Sequence, residues 1–288
     1  METTLIYRDG LELPEFATFP LLDDEAGRQA LLGYYAGYAR LAAELDAGIV
    51  LDTPSWRANR DWGARLGYDE AALADVNRRA VALLQEVRRD EPPVLVSGCV
   101  GPRGDGYVVG ETMTAEEAER YHNAQIAVFA EEDVDLVSAL TLTYADEATG
   151  IVRAATRHDV PIVISFTVET DGRLPSGQPL GEAIEQVDRD TGGAAAYFMV
   201  NCAHPTHFAH VLDEGAPWIK RIMGLRANAS TKSHAELDES DELDSGDPDD
   251  LAARYRSLRD VLPRLVVVGG CCGTDERHVA AVARAVTR

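Results

Sequence analysis

Three cysteines have the residue type and spacing of a metal site. Each of them follows one of two apolar segments. The run 265–268 leads through Gly269-Gly270 into Cys271-Cys272-Gly273, and the run 197–201 leads into Cys202. Thiolates at a tetrahedral centre select zinc over hard cations. The three side chains therefore predict a Zn²⁺ site with a fourth position open for chemistry. On the residues alone, the alternative is that Cys202 is a small core residue and that the paired cysteines fill a tight turn.

Charge and composition limit the classes of partner. The 288 residues include 49 acidic and 27 basic side chains, for a formal net charge of −22, which repels nucleic acid and anionic membrane surfaces. The sequence shows neither a secretory signal pattern nor an apolar run of membrane-spanning length. Four cysteines in a chain of this length favour a metal or catalytic role over a disulfide framework. We therefore expect a cytoplasmic protein whose partners include neither nucleic acid nor a membrane.

Short apolar segments alternate with amphipathic helical segments along the chain. The apolar segments predict eight strands, at residues 5–7, 49–51, 94–96, 135–142, 161–166, 197–202, 222–225 and 265–268. The periodic segments predict helices at 23–45, 70–89, 114–132, 147–157, 181–190, 207–212, 251–262 and 275–286. This alternation predicts an α/β fold with a closed parallel sheet, a (β/α)₈ TIM barrel, as a single domain over residues 1–288. A doubly wound open sheet is the alternative, and the absence of a Gly-x-Gly-x-x-Gly motif argues against nucleotide binding.

One segment of the chain does not fit this alternation. Residues 236–250 form an acidic low-complexity stretch. Because its like charges disfavour packing, we expect a solvated loop extension of the domain.

The barrel prediction brings the three cysteines together. Active sites of this fold lie at the carboxyl ends of the strands, and alternate strands contribute to the same interior layer. Cys202 ends the sixth predicted strand, and Cys271 and Cys272 follow the eighth. The fold is therefore expected to place all three sulfurs around one point at the barrel mouth.

Other residues near predicted strand ends favour structural roles. Cys99 is expected to pack in the core, because a fourth thiolate would close the metal site. Three histidines follow Cys202 on a loop and a first helical turn, where we expect structural roles: His204, His207 and His210. Trp56 and Tyr107 lie on loops over the mouth, where they either pack or offer a cation–π surface to a sulfonium methyl group.

The motif Asn201-Cys202 together with Gly269-Gly270-Cys271-Cys272-Gly273 resembles the homocysteine S-methyltransferase family. Further matches are Gly101-Pro102, Ser165-Phe166-Thr167 with Asp171-Gly172, and residues 203–208, so the resemblance spans nearly the whole chain. It implies a zinc-dependent barrel enzyme with Cys202, Cys271 and Cys272 as metal ligands. It also implies transfer of a methyl group from a sulfonium or quaternary ammonium donor (S-methylmethionine, S-adenosylmethionine or betaine) to a thiol, homocysteine, giving methionine.

Two positions depart from the family pattern and bear on the acceptor. The family's Asp-Gly-Gly signature is here Asp9-Gly10-Leu11, and Leu140 stands where relatives carry an acidic residue for the substrate ammonium. The resemblance implies Asp9 and Asn201 as substrate-binding residues, with Glu169 as another candidate for the ammonium. The alternative function is a diverged barrel that binds zinc or another thiol compound, with a different acceptor or without turnover.

Overall fold

A seven-stranded parallel sheet runs through the described part of this computed structural model, which comprises residues 1–88, 92–212, 215–240 and 242–287. The strands are β1 (Ile49–Asp52), β2 (Val94–Val100), β3 (Leu136–Leu142), β4 (Ile162–Phe166), β5 (Tyr197–Asn201), β6 (Ile222–Ala227) and β7 (Val267–Gly270). Their order in the sheet follows their order in the chain. Parallel neighbours in this order place every strand's carboxyl end at the same edge of the sheet.

Helices connect the strands and cover the sheet. Those within the described residues are α1 (Glu2–Tyr7), α2 (Glu25–Glu44), α3 (Arg60–Arg65), α4 (Glu70–Gln85), α5 (Ala115–Glu131), α6 (Ala145–Arg157), α7 (Leu180–Thr191), α8 (Pro205–Phe208), α9 (His234–Asp238), α10 (Pro248–Val261) and α11 (Glu276–Val286). Thr114 and Glu117 form a capping box at the start of α5, which matches the helix predicted at 114–132. The second predicted helix, 70–89, corresponds to α4, and its predicted end at Arg89 lies outside the described residues. Among the described helices, none combines the length and apolar composition needed to cross a membrane.

The core lies between the strands and the surrounding helices. Every residue of β3 and β4 is buried, which explains why these mostly apolar strands do not alternate between apolar and polar residues. Gly98 of β2 lets α5 approach closely, because a Cβ at this position would lie 2.5 Å from the ring of Phe129. Burial of a side chain such as Phe129 contributes about 1.5–3 kcal/mol.

The predicted first strand at residues 5–7 is wrong, because these residues form the end of α1. Helix α1 buries Thr3 and Leu5. A three-residue apolar run cannot distinguish a strand from a helix by periodicity, so long-range packing decided this element. The sheet therefore has seven strands, and between the described residues no backbone pairing joins β7 to β1.

The sheet is curled as in a barrel. Arg226 of β6 forms an ion pair with Asp52 of β1, although four strands separate them in the sheet. In a flat sheet these strands would lie roughly 24 Å apart, since neighbouring strands are spaced by about 4.8 Å. Only a curled sheet allows this contact.

The acidic stretch at 236–250 is more ordered than expected from its charge. Helix α9 enters it with a capping box between Ser233 and Glu236. Asp244 accepts a hydrogen bond from the Ser230 hydroxyl at 2.7 Å, and His278 lies 2.7 Å from the carbonyl oxygen of Ser245. Asp241 is outside the described residues. The described residues of the stretch are exposed or half-buried, in keeping with a solvated extension, but they include α9 and the start of α10 and contact Ser230 and His278.

Candidate metal and substrate site

The structure brings together the three cysteines that the sequence singles out. The sulfur atoms of Cys202, Cys271 and Cys272 all lie within 4.8 Å of one another. Two consecutive residues of β6 bind the backbones of Cys202 and Cys271. The N–H of Cys202 donates to the carbonyl of Arg226 at 3.0 Å, and the N–H of Cys271 donates to the carbonyl of Ala227 at 2.8 Å. Strand β6 thus sets the separation of the two cysteine-bearing segments.

The turn after β7 is shaped by glycine and threonine. The Thr274 hydroxyl donates to the carbonyl of Cys271 at 2.6 Å. This packing requires glycine at position 270, because a Cβ there would lie 2.2 Å from the Thr274 hydroxyl oxygen. Gly273 adopts a φ of +76°, in the left-handed region that favours glycine. The glycines that flank the cysteine pair therefore have steric roles.

The cysteine cluster contains a disulfide between Cys202 and Cys271, and Cys272 is a free thiol. Zinc–sulfur bonds of about 2.3 Å in a tetrahedron place ligand sulfurs roughly 3.8 Å apart. The three sulfurs, within 4.8 Å of one another, fit such a centre once the disulfide is reduced. Burial raises the pKa of the Cys272 thiol, so in the absence of a bound cation it stays protonated at neutral pH.

Three side chains form a wall beside the cluster. The Tyr107 hydroxyl lies 3.9 Å from the sulfur of Cys272, and the Tyr107 ring contacts the His234 ring with centroids 4.4 Å apart. His234 Nε2 lies 2.7 Å from the carbonyl oxygen of Cys202, and its Nδ1 lies 3.3 Å from Glu169 Oε1. Sequence reasoning missed His234. The available signal was the Ser233–Glu236 capping pattern, which places His234 at the start of a helix near the mouth.

Asn201 is buried, and its side chain makes hydrogen bonds to other residues of the protein. Its Oδ1 accepts from the N–H of Thr141 at 2.9 Å and from the Ser165 hydroxyl at 2.6 Å, while its Nδ2 donates to the Thr141 hydroxyl at 2.8 Å. These bonds tie β5 to β3 and β4. The structure therefore gives Asn201 an organising role at the mouth, next to Cys202.

The other residues expected to bind an amino-acid substrate lie apart from one another. Asp9 is exposed after α1, and between the described residues no ion pair or hydrogen bond joins its carboxylate to the cysteine cluster. Leu140 is buried, and its carbonyl accepts a hydrogen bond from Trp56 Nε1 at 3.1 Å. Glu169 is partnered by His234. The structure thus brings Glu169, but not Asp9, to the wall of the cluster.

Cys99 is a buried free thiol that is not part of the cluster. Its backbone is held by Thr53 and Ser55 at 2.8 Å each, and burial raises the pKa of its thiol well above the usual range. These contacts agree with the packing role expected from the sequence.

The three histidines after Cys202 make hydrogen bonds within the protein. His204 caps α8 by accepting from the N–H of Thr206 at 3.3 Å, and burial lowers the pKa of His204 to about 4. His207 Nε2 lies 2.9 Å from the carbonyl oxygen of Thr231, and His210 Nε2 lies 3.3 Å from that of Asp171. These contacts agree with structural roles.

Comparison with known proteins identifies similar chains. The family model described as homocysteine S-methyltransferase matches residues 1–286. Homocysteine S-methyltransferase 4 of Zea mays is 28% identical over 270 residues, covering 84% of this chain and 77% of the maize protein. Homocysteine S-methyltransferase 1 of Arabidopsis thaliana is 23% identical, covering 62% of this chain and 54% of that protein.

Solved structures with the same fold include the homocysteine methyltransferase MmuM from Escherichia coli. Its metallated form matches with a TM-score of 0.74 over 99% of this chain and 93% of MmuM, at 19% identity. Its oxidised form matches with a TM-score of 0.77 over 98% and 92%, also at 19% identity. At this identity the structural likeness shows a shared fold.

Proposed function

The chain belongs to the homocysteine S-methyltransferase family and is a methyltransferase, and we propose that its acceptor is the thiol of homocysteine, which it converts to methionine. We further propose that Cys202, Cys271 and Cys272 hold a zinc ion at the reacting centre. The observation that supports this most directly is the cluster itself, with three sulfurs within 4.8 Å of one another at the carboxyl ends of two parallel strands.

Zinc is proposed because three thiolates and one open position suit a soft, tetrahedral divalent ion. When bound, zinc would act as a Lewis acid that favours the thiolate form of a substrate thiol near neutral pH. The chain must first supply the thiolates. Reduction of the Cys202–Cys271 disulfide takes two electrons and two protons and restores two thiols. The reduced chain is therefore the form proposed to be active.

The methyl donor in this proposal is a sulfonium or quaternary ammonium compound, such as S-methylmethionine, S-adenosylmethionine or betaine. A carbon–sulfur bond forms to the acceptor, the bond from the methyl group to the positively charged donor atom breaks, and its electron pair stays with the donor. Because a thiolate and a cation neutralise each other in this step, a site that excludes water favours it. Tyr107 and His234 lie beside the cluster, and burial raises the pKa of Tyr107 well above its usual range, so its phenol stays protonated.

The test is a donor screen with reduced, zinc-loaded protein, each unlabelled donor, and homocysteine that carries deuterium in its carbon chain. Mass spectrometry should detect deuterated methionine with at least one donor, and the Cys272→Ser variant should form little product. A protein that binds zinc and homocysteine but transfers no methyl group from any of the three donors would instead be the diverged binding barrel. Leu140 is the observation that favours a different acceptor, so thiols without an amino group belong in the same screen.

A further inference from the structure

Arg57 lies between two tryptophans in the segment that follows β1. Its guanidinium carbon is 3.5 Å from the ring centroid of Trp62 and 4.7 Å from that of Trp56. Only 9% of the residue is exposed. Stacking on the aromatic faces stabilises the cation, but it leaves the in-plane N–H groups of the guanidinium unpaired.

Two of these N–H groups have no hydrogen-bond partner among the described residues. Nε and Nη1 of Arg57 are buried, and neither makes a hydrogen bond to any described residue. Burial lowers the pKa of Arg57, although the charge of Asp105 opposes this change. Between the described residues no ion pair neutralises the guanidinium. Buried polar groups are nearly always paired, so a buried cation with free donors indicates an anionic ligand that the protein itself does not supply.

A series of contacts connects the segment around Arg57 with the cysteine cluster. Trp56, the neighbour of Arg57, donates to the carbonyl of Leu140 in β3, the position at which the family resemblance implies an acid for the substrate ammonium. Gly106 fits between Trp56 and Thr141, because a Cβ there would lie 3.2 Å and 3.1 Å from their side chains. The next residue, Tyr107, reaches Cys272. A continuous set of contacts thus connects the tryptophan pair to the sulfurs.

The backbone around Arg57 is held on both sides. The N–H of Ala58 donates to the carbonyl of Ser55 at 2.9 Å, and Asn77 Nδ2 donates to the carbonyl of Ala58 at 3.1 Å. Asn59 begins α3 as its N-cap. Because its backbone is fixed and its side chain is stacked, the guanidinium loses little further entropy when it binds a ligand.

We propose that Arg57 binds the carboxylate of an amino-acid substrate at the mouth of the sheet, an inference that rests on the proposed function. Homocysteine and all three candidate donors carry a carboxylate, which accepts charge-assisted hydrogen bonds from guanidinium N–H groups. Recognition then depends on the acid end of the substrate. Recognition of the acid end would not require a carboxylate at position 140.

The acceptor arm of the test measures binding by calorimetry to reduced, zinc-loaded protein. The probes are homocysteine and 3-aminopropane-1-thiol, which lacks only the carboxylate. Wild type should bind homocysteine about tenfold to a hundredfold more tightly, and Arg57→Gln should bind both thiols with similar Kd values. Equal binding of the two thiols by wild type would contradict Arg57 as the receptor for the acceptor.

The donor arm uses S-methylmethionine and the matching aminopropyl dimethylsulfonium compound without a carboxylate. A preference that appears only in this arm, and that Arg57→Gln removes, assigns the carboxylate to the donor. If Arg57→Gln alters neither preference, the inference is overturned. Arg57→Lys, which keeps a charge, should retain part of the preference and serves if Arg57→Gln does not fold.

Arg103→Gln is the matched control, because Arg103 lies in the adjacent loop but is already paired with Asp61 at 2.8 Å. It should keep the wild-type preference. Binding does not require turnover, so the two proposals fail separately. Carboxylate-dependent binding without methyl transfer would overturn the proposed function alone. Methyl transfer with an unchanged KM for homocysteine and for the donor in Arg57→Gln would overturn the role of Arg57 alone.

Discussion

Asn201 and Thr141 are joined by two hydrogen bonds across the sheet, one from the Thr141 N–H at 2.9 Å and one to the Thr141 hydroxyl at 2.8 Å. Thr141 has a φ of +65°, which is unusual for a β-branched residue, and the β3–β4 register shifts between Ala139 and Leu142. Such backbone conformations cost about 1–3 kcal/mol and persist only where neighbouring groups hold them. Asn201 holds the backbone of Thr141, the residue after Leu140, in this conformation.

Replacement of Asn201 by leucine should therefore destabilise the protein. The buried N–H of Thr141 would lose its acceptor, at a cost of about 1–3 kcal/mol in the free energy of unfolding. Urea denaturation measures this change. Ser165→Ala is the control, since it removes only the 2.6 Å hydroxyl contact to Asn201 and should cost less. A loss for Asn201→Leu no larger than that for Ser165→Ala would contradict the assigned role.

Metal binding should depend on the redox state of the chain. The oxidised protein should show two free thiols under denaturing conditions and little bound zinc, whereas the reduced protein should show four thiols after zinc removal and one zinc ion per chain. Elemental analysis and thiol titration measure both. Cys272→Ser should lose most of the zinc and Cys99→Ala should keep it. Near-equal zinc in Cys272→Ser and wild type would exclude the proposed ligand set.

His234→Gln should weaken metal binding without removing a ligand. His234 contacts the carbonyl of Cys202, and loss of a group that orients a metal ligand typically lowers metal affinity about tenfold to a hundredfold. Competition with a zinc chelator measures this change. His207→Ala, which removes a histidine bonded to Thr231, should keep the wild-type affinity. The same affinity in His234→Gln and wild type would show that the contact does not orient Cys202.

Leu140→Glu should improve the use of homocysteine by supplying a carboxylate where the family resemblance implies one for the substrate ammonium. A charge-assisted hydrogen bond is worth about 1.5–3 kcal/mol, so the KM for homocysteine should fall about tenfold to a hundredfold. The KM of a simple alkyl thiol should not improve. The variant must first be shown to fold and to keep zinc, because Leu140 is buried. If wild type already prefers homocysteine and the variant loses that preference, Asp9 or Glu169 becomes the candidate for the ammonium.

Asp275→Asn should produce a pH-dependent loss of stability. Burial alone would raise the pKa of Asp275, but hydrogen bonds from Arg277 and His278 hold that pKa well below its usual range. A lowered pKa in the folded state means that the carboxylate stabilises the protein above about pH 4 and that this contribution is lost as the pH falls further. Asparagine keeps the helix cap but not the charge. The difference in unfolding free energy, about 1–2 kcal/mol at pH 7, should shrink below pH 4, whereas a pH-independent difference would contradict this cause.

The sequence alone was sufficient to predict the parallel α/β sheet and the meeting of the three cysteines. Apolar runs that alternate with helical periodicity require parallel strands, and parallel strands place their carboxyl ends at one edge. Cys202 and the Cys271-Cys272 pair follow two such ends, so their approach depends only on the strand pattern.

Tertiary structure decided the features that depend on contacts between distant segments. Residues 5–7 became helical because α1 packs Leu5 into the core, and no local period distinguishes that outcome from a strand. The contact of His234 with Cys202 and the hydrogen bonds of Asn201 to Thr141 join residues that lie far apart in the sequence. Packing also leaves Nε and Nη1 of Arg57 without a partner among the described residues. Sequence patterns record the period of an element and the residue types at its ends. The pairing of each buried polar group is determined only when the elements pack.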